Sequence, residues 1–431
     1  MHHEVRQLAT GTTLVRIGMP GVKSVTSLLF SNTGSRNESE KEWGIAHFFE
    51  HMVFKGTPKY PDPQTLAAAI DGVGADFNAF TSREYTGYYV KSASEHLGLS
   101  LDVLTDMLLR PLLKQEDLER ERGVIIEELN MYVDNPMHHI ANQFELMLWE
   151  GSGLSHDIIG TKETIQGVNR DDFLRFLHKW YGLGNLTLVL AGDEDVVMTD
   201  RVVELAEKML SKEVEDTRVP GKQQTEGVQP EGFISGRRLL VVERATEQAH
   251  LILGWPGLKR GHSRRHQMAL FNNIIGGSMS SRLFTEVREK RGLCYYVHSD
   301  HDSYKETGFV GASAGVETKR VHEAIQVIRD EFLQIADGSK KITQIELDRG
   351  KNYFAGKLKL SLESSQSVAQ FYGLRQLLED TVETPEEILA QIQRVTLEDL
   401  QELAADLIKP SQLRLAVIGP YKQADFEQYN T

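Results

Sequence analysis

Cysteine is almost missing: Cys294 stands alone in 431 residues. No intrachain disulfide can form and a cysteine-rich zinc site is excluded, which fits a reducing compartment. Long apolar runs are missing as well. No uninterrupted stretch reaches the roughly 20 residues that a membrane-spanning helix needs, so no membrane association is expected. The opening Met1-His2-His3-Glu4-Val5-Arg6 has neither the basic start nor the apolar stretch of a secretory signal. The resulting expectation is a soluble, cytoplasmic protein. Basic residues are outnumbered, 48 Lys and Arg against 62 Asp and Glu, for a net charge of −14. Phosphate binding needs a basic surface, so nucleic acid is not an expected partner. The acidic balance suits basic or unfolded peptide substrates, and equally suits plain solubility.

What is present is ordinary for a globular chain, 40% hydrophobic and 26% charged residues. The length exceeds what one core of roughly 100–200 residues requires, so two or more domains are expected. Thr13–Ile17 and Val25–Phe30 alternate like strands and are bounded by Gly11, Gly18, Pro20 and Gly21. Helices are expected at about Trp43–Phe54, Leu97–Leu109 and Gln115–Val133, the last stopped by Asn135-Pro136. Glu84–Val90 and residues 185–191 read as strands, and a helix at about Asp195–Leu210 closes this half.

Residues 213–236, with Pro220-Gly221-Lys222-Gln223-Gln224, have no apolar period and read as a linker. Beyond it, Arg238–Val242 and Ala249–Gly254 repeat the two opening strands. A helix at about Gln267–Ile275 takes the place of the helix near residue 47, and Gln412–Gly419 parallels residues 185–192. The fold class is therefore α+β. Two homologous domains in tandem are expected, 1–212 and 237–431, each a mainly antiparallel β-sheet packed with α-helices.

The chemistry gathers at His47-Phe48-Phe49-Glu50-His51. His47 and His51, four apart on a helix, share a face and can bind one zinc ion. Glu50, beside that face, can take the proton of an activated water. The order H-x-x-E-H is the inverzincin motif. Ile45, Phe48, Phe49, Met52 and Val53 supply apolar faces to bury the helix. A third ligand is needed, and Glu121 and Glu128, seven apart on the helix after Pro111, share a face. One can bind metal while the other accepts from a ligand histidine. Spacing alone does not choose between them, nor exclude Glu127.

His47 to Thr57, HFFEHMVFKGT, resembles the signature of the M16 peptidases, and Glu121 to Glu128 resembles their downstream glutamate motif. The resemblance implies Glu128 as the third zinc ligand, Glu121 as a supporting residue beside the ligands, and Glu127 outside the site. Gly74 to Thr81 looks like the family's substrate-binding edge strand, which implies substrate contacts at Asn78 and Ala79. Gly276 to Phe284, followed by Arg288 to Tyr295, resembles the arginine–tyrosine element. There Arg288 and Tyr295 orient substrate and stabilise the oxyanion. The length is similar to the short-subunit class, like bacterial homologues of the mitochondrial processing peptidase. That implies a homodimer closing a chamber around peptide or unfolded substrates, one zinc per subunit, with one subunit's zinc facing the other's Arg288 and Tyr295. The rival is a non-catalytic structural or partner subunit, which would have lost motif residues that this chain keeps.

Overall fold

The computed structural model describes residues 1–211 and 236–430. The segment read as a linker, 213–236, lies outside the described residues except for Gly236. Two sheets organise the rest. The first contains β1 (His2–Gln7), β2 (Thr13–Met19), β3 (Ser24–Ser31), β4 (Asp76–Thr81), β5 (Thr86–Ala93) and β6 (Leu186–Asp193). Their order is β1-β2-β6-β3-β5-β4. The second contains β7 (Leu239–Glu243), β8 (Gln248–Pro256), β9 (Cys294–Ser303), β10 (Gly308–Glu317) and β11 (Arg414–Gly419), in the order β7-β11-β8-β10-β9.

Both sheets are mixed and mainly antiparallel. Only β2 with β6 and β7 with β11 run parallel; every other neighbouring pair is antiparallel. Position by position, β7-β11-β8-β10-β9 reproduces β2-β6-β3-β5-β4, so the second sheet is the first without β1. The internal repeat read from the sequence is thus a repeat of topology. β6 lies between two strands and all its residues are buried, which is why it reads as a continuous apolar run.

The chain divides into two compact units, and each takes segments from both halves of the sequence. The first unit comprises residues 1–130, the described part of 156–226, and 360–383. Its helices include α1 (Ile45–Met52), α2 (Pro63–Asp71), α3 (Leu97–Leu109) and α4 (Gln115–Asp134), the last continuing past Asn130. The helix Ser365–Glu379, far along the sequence, packs on β6, β3 and β2. It does so at close range: a Cβ on Gly373 would lie 2.6 Å from Phe30 Cε2 and 2.7 Å from Val189 Cγ2. Thr26 Oγ1 and Ser365 Oγ share a hydrogen bond of 2.8 Å.

The second unit takes α5 (Pro136–Leu148) from the first half of the sequence. Ile140, Phe144, Met147 and Leu148 cluster with Ile252, Phe309, Ala416 and Ile418, and the Phe144 and Phe309 rings meet edge to face at 5.6 Å. Asn135-Pro136, read as a stop, is also a start. Asn135 Oδ1 accepts from Met137 N at 3.1 Å and His138 N at 3.3 Å, and Pro136 occupies the first helical position, where its missing N–H costs nothing. The expected helix at Asp195–Leu210 is broken into Glu194–Val197 and Asp200–Leu210, with Thr199 extended between them.

Candidate metal centre

α1 is only eight residues long, too short to hold its shape without packing. Ile45, Ala46, Phe48, Phe49 and Met52 are buried on it, while His47, Glu50 and His51 keep partial exposure. Phe48 meets Phe173 edge to face at 5.0 Å, and Phe49 packs 4.6 Å from Tyr181. The start of the helix is fixed by a side chain from outside it. Glu38 accepts from Gly44 N and Ala46 N, both at 2.7 Å, and pairs with His156 Nε2 at 3.1 Å. The His156 ring stacks on Trp43 at 4.9 Å. Gly44 itself has φ +92°, and a Cβ there would strike Ile159 O at 2.4 Å. Burial pushes the Glu38 carboxyl above the ordinary range, opposed by its bonds to His156 and the two amides.

α4 brings the acidic ligand candidates. Glu121 and Ile125 are buried, Glu128 is half-buried, and Glu127 points to solvent. His47 Nε2 lies 3.7 Å from Glu128 Oε1, and His51 Nε2 lies 3.6 Å from Glu128 Oε2. One ligand atom from each of His47, His51 and Glu128 falls within 4.8 Å of the others. Among the described residues this is the one such group of three. The second nitrogen of His51, Nδ1, lies 2.9 Å from Glu121 Oε1, and Lys55 Nζ pairs with Glu121 Oε2 at 2.6 Å. His47 differs: its Nδ1 is buried with no hydrogen-bond partner.

The electrostatics follow from burial. Burial, and then the neighbouring His51, pull the His47 imidazole down to about 3, so it stays neutral at ordinary pH. Burial pushes the Glu50 carboxyl up; the Thr81 hydroxyl and His51 pull it back, and Glu128 adds to the rise. For Glu121, burial raises the carboxyl but is outweighed by the hydrogen bonds and charges of His51 and Lys55, leaving it below the usual range.

The remaining candidates fall into two places. Asn78 and Ala79 lie on β4, the outer strand of the first sheet, and Asn78 Oδ1 accepts from Ala79 N at 2.8 Å. Arg288 and Tyr295 belong to the second unit. Arg288 leaves a π-helical turn, Phe284–Glu289, with its guanidinium 4.8 Å from the Phe284 ring and 5.3 Å from the Tyr295 ring. Tyr295 is three-quarters exposed (75%). Near it the β9–β10 register shifts between Gly315 and Val316, a bulge that re-aims a side chain.

Glu38, His156, Lys55 and Thr81 escaped the sequence reading. Two carried a usable signal: Lys55 stands four residues after His51, and Thr81 shares strand parity with Ala79.

Two family models match the chain. A family described as "Insulinase (Peptidase family M16)" matches residues 15–162, and one described as "Peptidase M16 inactive domain" matches residues 167–354. An uncharacterised zinc protease of Streptomyces coelicolor is 35% identical over 424 residues, 96% of this chain and 89% of the relative. Another, from Bacillus subtilis, is 34% identical over 411 residues, 95% of this chain and 96% of the relative. A Pseudomonas fluorescens structure described as a peptidase M16 inactive domain aligns with a TM-score of 0.89 at 20% identity, covering 98% of both chains. A protease structure from Helicobacter pylori gives 0.85 at 23% identity, covering 97% of this chain and 99% of that one. At such identities the structures speak for the fold. No helix among the described residues is long and apolar enough to cross a membrane.

Proposed function

Because the chain belongs to peptidase family M16, we propose that it is a zinc-dependent endopeptidase acting on peptides or unfolded polypeptide segments. The convergence of His47, His51 and Glu128 around one point, with Glu50 beside it, is the observation that carries this reading. The donor set fits zinc. Two imidazoles and a carboxylate, one ligand atom of each lying within 4.8 Å of the others, are donors of the kind that a single zinc ion takes.

His47, His51 and Glu128 would hold one ion per subunit, and Glu121 would fix the His51 ring through Nδ1. A bound zinc supplies Lewis acidity, polarising a water molecule and the scissile carbonyl. Glu50 accepts the water's proton and returns it to the leaving amine. A substrate strand added along β4 would replace Asn78 Oδ1 as the acceptor for Ala79 N–H, so Asn78 turns from capping the edge to contacting substrate. Arg288 and Tyr295 stabilise the oxyanion, supplied by the partner in a homodimer whose chamber admits unfolded chains.

Cleavage of a mixed peptide library, read by mass spectrometry for wild type and E50Q with zinc measured in both, tests the reading. Cleavage by wild type alone, with zinc in both, is expected, with the variant slower by about 10²–10⁴-fold. Equal cleavage by both would remove Glu50 from its role, and absence of zinc from both would end the proposal.

A further inference from the structure

The Glu50 carboxylate does not stand free beside the histidines. Thr81 Oγ1 donates a hydrogen bond to Glu50 Oε2. Among the described residues this hydroxyl is the hydrogen-bond donor to Glu50. Thr81 is the last residue of β4 and pairs with Thr86 of β5 across a turn in which Ser82 N bonds Tyr85 O at 2.8 Å. Strand parity puts Phe77, Ala79 and Thr81 on one face. The Phe77 ring lies 5.6 Å from Phe54, just past α1, so this face of β4 is turned toward the metal helix and its extension. A branched side chain on a strand has little χ1 freedom, which makes its hydroxyl a fixed donor.

We infer that Thr81 is a positioning residue for Glu50: its hydroxyl ties down Oε2 and leaves Oε1 as the oxygen that exchanges protons with the attacking water. The inference rests on the reading of Glu50 as general base. It adds a mechanical link that the motif at residues 47–51 does not contain. The outer strand proposed to receive substrate also sets the orientation of the base, so both are registered to one piece of backbone. A Glu50 without this tether samples several rotamers, and only some of them aim an oxygen at the water.

The test compares T81V, T81S, E50Q and T81V/E50Q with wild type in kcat, KM and zinc content, together with crystal structures of zinc-loaded wild type, T81S and T81V. T81V is expected to lower kcat about 10- to 100-fold, the cost of a misplaced catalytic group, with KM and zinc content unchanged. T81S, which keeps the hydroxyl, should restore most of the loss, and T81V should add nothing in the E50Q background because the group it positions is already disabled. A T81V kcat equal to wild type, a T81S as slow as T81V, or the same fold-loss in the E50Q background would each overturn the inference. The crystal structures separate it from the endopeptidase reading. If no peptide is cleaved by any form, a Glu50 held in wild type and T81S but rotated in T81V still supports the tether. An identical Glu50 in all three overturns it.

Discussion

Lys55 Nζ lies 2.6 Å from one oxygen of Glu121, and the other oxygen of that carboxylate lies 2.9 Å from His51 Nδ1. The two contacts make a line from a lysine just past α1, through a buried carboxylate on α4, to a candidate ligand. Supporting partners of this kind fix the ring and raise its basicity, and their loss typically costs about 10–100-fold in metal affinity. E121A should therefore weaken zinc binding by about that factor. K55M, which leaves Glu121 in place but freer to turn, should weaken it by less, about threefold to tenfold. Competition against a chelator of known affinity reads both values without reference to activity. A K55M affinity equal to wild type would show that Glu121 is held well enough without its lysine.

The second unit contains an ion pair that makes stability depend on acid. Arg282 Nε lies 2.6 Å from Glu346 Oε1, and Arg282 Nη2 lies 2.9 Å from Oε2. Thr343 N and Oγ1 also donate to Glu346 Oε2 at 2.8 Å, closing a capping box at the start of the helix Gln344–Ser361. Burial raises the Glu346 carboxyl, but these donors and the Arg282 charge outweigh it and bring it down to about 2. A carboxyl held below its unfolded value stabilises the fold above about pH 4.5, and that contribution is lost as the pH falls toward about 2. The full shift would correspond to about 3 kcal/mol, which solvent screening at this partly exposed pair reduces to about 1–2 kcal/mol. E346Q should thus be less stable than wild type at pH 7, with the gap shrinking by more than half at pH 3. Denaturant unfolding at the two pH values measures it, and an unchanged gap would rule out the pair as the source.

Subunit pairing has its own signature. If Arg288 and Tyr295 of one subunit complete the metal centre of the other, E50Q and Y295F chains are each defective alone, yet a mixed dimer holds one intact centre. Random exchange makes half the dimers mixed, each with one of its two centres intact, so activity should return to about a quarter of wild type in a symmetric two-site dimer. No recovery after exchange, verified by mass spectrometry of tagged chains, would mean that each centre is completed within its own chain.

The metal helix was legible because its pattern is local. Two histidines at i and i+4 share a face, and the apolar residues around them fill the others. For the expected third ligand, spacing offered a face, Glu121 or Glu128, without excluding Glu127, and the resemblance implied Glu128; in the structure Glu128 lies 3.7 Å from His47 and 3.6 Å from His51, while Glu127 is exposed. Strands with clear alternation, such as Val25–Phe30, were readable to within a residue or two of β3. β1 was not, because His2–Gln7 carries one aliphatic residue, Val5, and is an exposed edge with little apolar pattern to read. Glu38 and His156 were not legible for a different reason: they meet in a polar contact between elements distant in sequence, and a single carboxylate or imidazole leaves no periodicity behind. Thr81 left its strand parity with Ala79, which does not name its partner, Glu50.

The crossing of Pro136–Leu148 and Ser365–Glu379 between the two units reaches beyond architecture to biosynthesis. The sheet that bears the metal helix receives one of its covering helices from a segment translated some 170 residues after β6, its last strand. Until that segment emerges from the ribosome, Phe30 and Val189 lack the neighbour that Gly373 brings against them, and an apolar face stays open to water. The N-terminal half cut at residue 212 would carry every proposed metal ligand and still be an unfinished fold. Nascent chains of this protein therefore spend most of their synthesis time with the half that carries the candidate metal ligands incomplete and an apolar face of its sheet uncovered.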